Sequence, residues 1–526
     1  MRQRAAAATL RVSTVLAGAL LFGLATPVKA ADPGPAATSS ESANATLVAQ
    51  GKYLVTAGDC AACHTAPGGQ QFAGNYAINS PFGIIYTPNI TPDKETGIGN
   101  WSEAEFYHLF HEGRGPNGEY IYPAFPYDWF TKVTKPDVDA IYAYLMSLPP
   151  VHEVKKHNQL MFPLNIRFSV FGWNLLFFNP GTFQADPSKS AEINRGAYLV
   201  EGLEHCGDCH TPKNIAQGPI RSMAYSGGVI DHWYAPNITS GPQGIGKWSD
   251  DALFHYLRTG IDPNHGLVLG PMAEAVRYSL ARLNDSDVHA IVAYLKSTKP
   301  LASYEPKTPA YASDQRAGAD VYVTYCASCH QRNGEGVKGR IPALANNGAV
   351  IAKGAQNVIR VVLGGLRAQG DYGPMPGFAA AMSDQQIADV TNYVRGAWTN
   401  KAPLDASPGE VAAAAKETKS LLAGTQPCPP RGTSAVDAAI SDPSTGIQAV
   451  LDSTTEENLV QSANKIITIF HAKVPDAKRA DIVNETTDAY CPVVMQQASL
   501  EPIRHWQEMT EFGERLYTQL ADHEAR

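Results

Sequence analysis

Apolar residues recur at helical spacing in one segment of this chain after another. Val138, Ile141, Tyr142 and Leu145 follow Lys135-Pro136-Asp137, where proline and an acid in the first turn mark a helix start. Asn284-Asp285-Ser286-Asp287 opens the same pattern for Val288, Ile291, Val292 and Leu295, and Ser383-Asp384 opens it for Ile387, Val390 and Val394. The alanine run Ala412 to Ala415 predicts a further helix. From Ile503 onward, Trp506, Met509, Phe512, Leu516 and Leu520 share one helical face, with Arg504, Glu508, Glu511 and Glu514 between them. That face reads as the packing face of a last helix or, alternatively, as a docking or membrane-surface helix. The predicted fold class is all-α.

Two stretches are apolar without this periodicity. Residues 1–30 begin with Arg2, Arg4 and Arg11, run through an apolar stretch from Val15 to Ala25, and end in Val28-Lys29-Ala30. This is the form of a secretory signal cleaved before Ala31. The second stretch, 160–178, holds Leu160, Met161, Phe162, Phe168, Val170, Phe171, Trp173, Leu175, Leu176, Phe177 and Phe178, with Arg167 as its one charge. It either packs across its neighbours or offers an aromatic contact to a partner subunit or a membrane interface. No later run of 18 apolar residues predicts a spanning helix.

The chain repeats itself. Gly51-Lys52-Tyr53-Leu54-Val55 returns as Gly196-Ala197-Tyr198-Leu199-Val200, Tyr86-Thr87-Pro88-Asn89-Ile90-Thr91 as Tyr234-Ala235-Pro236-Asn237-Ile238-Thr239, and Gly97-Ile98-Gly99-Asn100-Trp101-Ser102 as Gly244-Ile245-Gly246-Lys247-Trp248-Ser249. The Asn-x-Thr triplets within these repeats read as turns. The predicted organisation is a signal at 1–30, helical modules at 45–150 and 188–300 joined by the aromatic linker 151–187, a shorter module at 311–400, and a helical C-terminal region at 401–526. Lys299-Pro300 to Pro309 is a Pro-rich connector.

Each module carries Cys-x-x-Cys-His: Cys60, Cys63 and His64; Cys206, Cys209 and His210; Cys326, Cys329 and His330. Two cysteines one helical turn apart suit thioether bonds to the two vinyl groups of one haem, and the next residue offers an imidazole nitrogen to its iron. Zinc sites and thioredoxin-like pairs also use Cys-x-x-Cys, but neither needs the histidine that follows all three. Three covalent c-type haems are predicted, making each module a cytochrome c-like domain. In two modules a methionine stands where a soft sixth ligand is expected: Met272 in Gly270-Pro271-Met272 and Met375 in Gly373-Pro374-Met375-Pro376. In the first module Phe125 occupies that place within Tyr122-Pro123-Ala124-Phe125-Pro126-Tyr127. The candidates for that iron are His111 and Met146, and an open iron would make a ligand-binding or peroxidase-like site instead. Cys428 and Cys491 are expected to form a disulfide, consistent with export.

The net charge is −8; losing the four basic and no acidic residues of the signal takes it to −12. That acidity argues against nucleic acid as a partner.

On these motifs, with Pro81-Phe82-Gly83, Asn89-Ile90-Thr91-Pro92-Asp93-Lys94 and Asn194-Arg195-Gly196-Ala197-Tyr198-Leu199, residues 45–400 resemble the three-haem cytochrome c subunits of bacterial membrane-bound periplasmic dehydrogenases. The resemblance implies a relay without a catalytic site of its own, passing electrons from a dehydrogenase subunit to ubiquinone or a terminal oxidase. It also implies a place on the periplasmic side of the inner membrane, peripherally attached. The Phe125 form of the loop resembles cytochromes that accompany molybdopterin enzymes with a small iron–sulfur subunit, the aldehyde dehydrogenase type being preferred. A Met form accompanies pyrroloquinoline quinone alcohol dehydrogenases and flavin gluconate or sorbitol dehydrogenases.

Overall fold

In the computed structural model, residues 39–66, 69–263, 265–305, 314–422, 428, 434–496 and 502–524 are described. The signal segment 1–30 and the end of the Pro-rich connector lie outside the described residues. The first module runs α1 (Ser39–Ala57), α2 (Cys60–His64), the strands β1 (Ala77–Ser80) and β2 (Gly83–Tyr86), α3 (Glu103–Glu112), α4 (Tyr127–Phe130) and α5 (Lys135–Met146). The linker supplies β3 (Gln159–Leu160), antiparallel to β2, and α6 (Ser169–Phe177). The second module comprises α7 (Ala191–Tyr198), α8 (Cys206–His210), β4 (Gly228–Ile230), β5 (Trp233–Ala235), α9 (Asp250–Thr259), β6 (Ile261–Asp262), β7 (Gly266–Leu267), α10 (Pro271–Tyr278) and α11 (Asp285–Ser297). The third contains α12 (Gln315–Tyr325), α13 (Ala327–His330), α14 (Gln356–Gly364) and α15 (Asp384–Gly396). After it come α16 (Pro408–Leu422), α17 (Ala435–Ser441), α18 (Ile447–Asp452), α19 (Leu459–Lys473), α20 (Arg479–Met495) and α21 (Pro502–Glu524). The all-α expectation holds; the strands are short hairpins that sequence periodicity did not reveal.

One device builds all three modules. A glycine on the first helix lies against the backbone of the last, so closely that a side chain would collide. A Cβ at Gly51 or Gly196 would stand 1.9 Å from the carbonyl oxygen of Ala140 or Ala290, and one at Gly318 would stand 2.3 Å from that of Asp389. Helices α1 and α5, α7 and α11, and α12 and α15 therefore cross nearly in backbone contact, which orients the Cys-x-x-Cys-His turn that follows each first helix.

The second module departs from the first by one residue. Between the shared Gly-x-Tyr and the first cysteine it carries one more residue than the first module, and Leu199–Leu203 absorbs it as a single π-helical turn. The cores of these two modules merge. Leu54, Phe130 and Ile141 belong to the same buried cluster as Leu199, Leu203 and Ile291. The third module has its own core, which continues beyond its last helix to Val411 and Ala415 of α16.

The C-terminal bundle, α17 to α21, closes on a separate core of Ile466, Ile467, Phe470, Phe512 and Leu516. The apolar face of the last helix is thus spent inside the bundle, against the docking or membrane-surface alternative; the Trp506 side chain lies outside the described residues. Cys428 and Cys491 are joined by a disulfide across a sequence separation of 63. On the chain-entropy model a loop of that length stabilises by about 4 kcal/mol. Cys428→Ser with Cys491→Ser is therefore expected to lower the bundle's unfolding free energy by about that amount, as read by denaturant titration with and without reductant. Equal stability of variant and parent would refute the loop's role.

Among the described residues no helix is long and apolar enough to cross a membrane. In the linker, α6 packs on one face and leaves the other bare. Inward, Trp173 Nε1 donates to the Ala216 carbonyl at 3.0 Å and Asn174 Oδ1 accepts from Tyr127 Oη at 2.5 Å, so the helix bridges both modules. Outward, Phe162, Phe168, Leu175 and Leu176 stand exposed.

Candidate functional site

Each Cys-x-x-Cys-His sequence lies on a short helix, α2, α8 or α13, following the glycine-bearing helix of its module, with Cys326 capping the start of α13. In the first two modules the residue before the motif is left-handed, with φ of 51° at Asp59 and 39° at His205, and this turns the chain sharply into the cysteines. None of the six cysteines in these motifs is in a disulfide. Burial, with Asp59 adding to it, pushes the Cys60 thiol up to about 12, and burial with Asp208 does the same for Cys209. Among the described residues no group of three or more His, Cys, Asp or Glu side chains could hold a metal ion.

The histidines are held alike. His64 Nδ1 lies 2.8 Å from the Pro88 carbonyl, His210 Nδ1 2.7 Å from that of Pro236, and His330 Nδ1 3.0 Å from that of Pro342. A carbonyl only accepts, so Nδ1 carries the proton in each and the Nε2 lone pair is left for a ligand. Burial lowers all three pKa values and keeps the rings neutral. The Asn-x-Thr turns prove to be the buttress of this contact. Asn89 Oδ1 accepts from the Thr91 backbone N–H at 2.9 Å while its amide donates to the Val151 carbonyl at 2.7 Å. Asn237 does likewise with Thr239 and Leu301, at 2.8 and 2.9 Å. Each asparagine ties the proline loop to the chain leaving the module's last helix. The repeat marked these residues; its bare pattern did not disclose their role.

The family pattern of cytochrome c matches residues 48–149, 193–299 and 315–398. The chain belongs to the cytochrome c family. It is 42% identical over 362 residues to a nicotinate dehydrogenase component of Pseudomonas putida, covering 67% of this chain but only 30% of that longer protein. It is 39% identical over 406 residues to the cytochrome c subunit of alcohol dehydrogenase (quinone) from Gluconacetobacter polyoxogenes, covering 72% of this chain and 86% of the other. With the gluconate 2-dehydrogenase cytochrome c subunit of Pantoea cypripedii it shares 36% over 408 residues, 73% of this chain and 92% of the other.

A cytochrome c holds haem c covalently, and the residues here fit that group: paired cysteines one turn apart, followed by a neutral imidazole with Nε2 left for a ligand. The haem supplies one-electron chemistry; the chain supplies attachment, axial donors and burial. The cytochrome's expected methionines differ in setting. Met272 stands just inside α10, after Gly270, whose φ of 52° lets the backbone pass the Trp233 ring. Met375 closes a short hairpin, exchanging both backbone hydrogen bonds with Leu366 at 2.9 Å. Phe125 packs against Phe110 and Phe130, with ring centroids 5.4 and 5.2 Å away. His111 is buried, stacked on Tyr107 at 4.1 Å, and its Nε2 has no hydrogen-bond partner. Met146 ends α5, half-buried against the core.

The first two cytochrome domains meet through reciprocal contacts. Tyr53 Oη of the first donates to Asp287 Oδ2 of the second at 2.6 Å, and the repeat-equivalent Tyr198 Oη of the second donates to Asp137 of the first. Arg195 pairs bidentately with Asp287 at 2.8 Å, as Gln50 reaches Asp137 at 2.9 Å. Near this seam, Glu204 is buried 3.1 Å from Ser279 Oγ, and burial holds its pKa well above the carboxylate range. Asp59 Oδ1 and His205 Nδ1, at matching positions before the two motifs, are both buried without a hydrogen-bond partner. Ser279 Oγ also donates to the Ala57 carbonyl at 3.2 Å, so the chain entering the first attachment turn and Glu204, entering the second, meet at this seam, an arrangement the sequence repeat alone did not disclose.

Proposed function

We propose that this chain is the electron-transfer subunit of a periplasmic dehydrogenase complex, holding three c-type haems and passing electrons to ubiquinone or a terminal oxidase. The observation that carries the reading is the threefold recurrence of a paired-cysteine turn with a histidine held by a proline carbonyl. Family membership and the dehydrogenase subunits among the relatives agree with it. Axial donors in this reading are His64, His210 with Met272, and His330 with Met375. For the first iron His111 and Met146 are the candidates, and the unpartnered Nε2 of His111 favours the histidine. A molybdopterin enzyme with a small iron–sulfur subunit, of the aldehyde-oxidising kind, is the preferred partner. Phe125 and the 42% identity to a nicotinate dehydrogenase component support that branch. The outward face of α6 and its approach, in this reading, rests on the membrane surface.

Gentle isolation of the complex, with haem quantified per chain and bound organic cofactors identified, tests this. Three covalent haems and molybdopterin are expected. Flavin or pyrroloquinoline quinone in place of molybdopterin would move the partner to the sugar or alcohol dehydrogenases. Fewer than three haems would overturn the count, and substantial carbon monoxide binding by the reduced protein would point to chemistry at an open first haem.

A further inference from the structure

The hairpin that presents Met375 is held chiefly by parts of the chain outside its own module. After α14, Gly365 takes a φ of 73°, and Leu366 and Met375 then pair as the base of the hairpin. Gln369 and Tyr372 close its tip with mutual backbone bonds of 3.0 and 2.9 Å. One side of the tip touches the second cytochrome domain: Gln369 Nε2 donates to the Val268 carbonyl at 3.3 Å, and Gly370 fits beneath Ile261. The other side is gripped by the C-terminal bundle. Arg367 donates through both terminal nitrogens to the buried Asp488 carboxylate at 2.7 and 2.8 Å. Asn484 Nδ2 donates to the Ala368 carbonyl at 2.8 Å. Tyr517 Oη donates to the Asp371 carbonyl at 2.5 Å, and its ring lies over Gly373, where a Cβ would come within 2.7 Å. Ala368 itself is buried in the bundle's hydrophobic core.

Asn484, Asp488 and Cys491 follow one another at four- and three-residue steps along α20, and therefore on one helical face. The two residues that grip the hairpin thus share a face with the disulfide anchor. This is more than the covering of a loop, since a bidentate guanidinium pair, an amide bond and a phenol bond all fall on the segment between Leu366 and Met375. A methionine–iron bond is weak, and its strength depends on how firmly the protein holds the thioether in place.

We propose that the C-terminal bundle is a clamp on the Met375 hairpin, with Asp488 and Tyr517 as positioning residues that keep the thioether on the third haem iron. This rests on the assignment of Met375 as an axial donor, so the test carries a control for that assignment. Met375→Ala, Asp488→Ala and Tyr517→Phe are compared in the full-length oxidised protein by the near-infrared charge-transfer band of methionine-ligated haem. Carbon monoxide uptake is measured after reduction, and circular dichroism reports the fold. Met375→Ala is expected to remove the third haem's share of the band and to bind carbon monoxide. Asp488→Ala is expected to weaken the same share and to admit carbon monoxide at up to about one haem per chain. Tyr517→Phe, which keeps the ring and loses the hydroxyl's bonds with the Asp371 carbonyl and Arg479, should do so to a smaller degree with unchanged helicity. A band unaltered in Met375→Ala overturns the ligand assignment and the clamp with it. A band lost in Met375→Ala but intact in both other variants, with no carbon monoxide bound, overturns the clamp and leaves the assignment standing.

Discussion

Leu175→Asp with Leu176→Asp is expected to shift the protein from membrane vesicles into solution while leaving its haem spectrum unchanged. These leucines are 74% and 73% exposed, beside Phe162 at 78% and Phe168 at 69%. A helix apolar on every face but packed on one leaves the other to something nonpolar. The exposed side chains of Phe162, Phe168, Leu175 and Leu176 carry no hydrogen-bonding group, whereas a protein interface normally engages one about every 100–200 Å². In the sequence Lys155 and Lys156 precede this segment and Arg167 lies within it, in a chain of net negative charge, suiting anionic headgroups. Burying the two leucines contributes about 3 kcal/mol in total, about a hundredfold in partitioning, before any cost of the aspartates. Sedimentation with vesicles containing phosphatidylglycerol, compared with purely zwitterionic vesicles, measures the effect. Equal sedimentation of parent and variant would refute lipid as the occupant of this face. Loss of a dehydrogenase subunit from the complex instead would assign the face to the partner.

The second large effect belongs to Arg395. Its guanidinium is completely buried on α15, where it donates to the carbonyls of Val350, Ala352 and Gly354 at 2.9, 3.0 and 2.8 Å. It also donates to the Pro403 carbonyl at 3.1 Å and the Asp405 carboxylate at 3.2 Å. One side chain thus fastens the loop before α14 and the chain before α16 to the last helix of the third module. Arg395→Ala would strand a buried aspartate and several carbonyls, at a cost of about 3–5 kcal/mol. Arg395→Lys should recover little of it, because an ammonium cannot serve carbonyls on three sides in the plane of a fork. Thermal unfolding and amide exchange in α14 and α15 read the loss. A destabilisation below about 1 kcal/mol would mean that water replaces the guanidinium at little cost.

Arg395 also shows where reading the sequence stops. The apolar rhythm Ile387, Val390, Val394 identifies the helix and its inner face, and these side chains are buried as expected. The same rhythm puts Arg395, eight residues after Ile387, at the edge of that face without saying what its charge would meet. Only the return of the chain at 350–354 and 403–405 surrounds it with acceptors, and no local pattern encodes that return. The site divides in the same way. Cys-x-x-Cys-His is a contiguous requirement and so was visible. The proline carbonyls that orient each histidine lie 24 residues beyond His64, 26 beyond His210 and 12 beyond His330, so their part emerged only in three dimensions. For 160–178, composition announced an apolar segment, but its lack of periodicity hid which side chains would face out. Gly51 and Gly196 were visible as repeated letters; that a helix backbone lies against each, and against Gly318, was not.

The reciprocal tyrosine–aspartate pairs make the first two modules an internal pseudo-dimer, two copies of one unit facing each other within a single polypeptide. In a true homodimer every substitution appears twice, so the two centres must stay identical. Fusion removes that constraint: Tyr53 and Tyr198 still hold their opposite aspartates, while Phe125 and Met272 have been free to differ. Symmetry preserved in the scaffold thus leaves the two sites free to differ; in the proposed reading their irons carry unlike ligands, and a pair of unlike centres gives an electron a direction that a pair of equal ones does not.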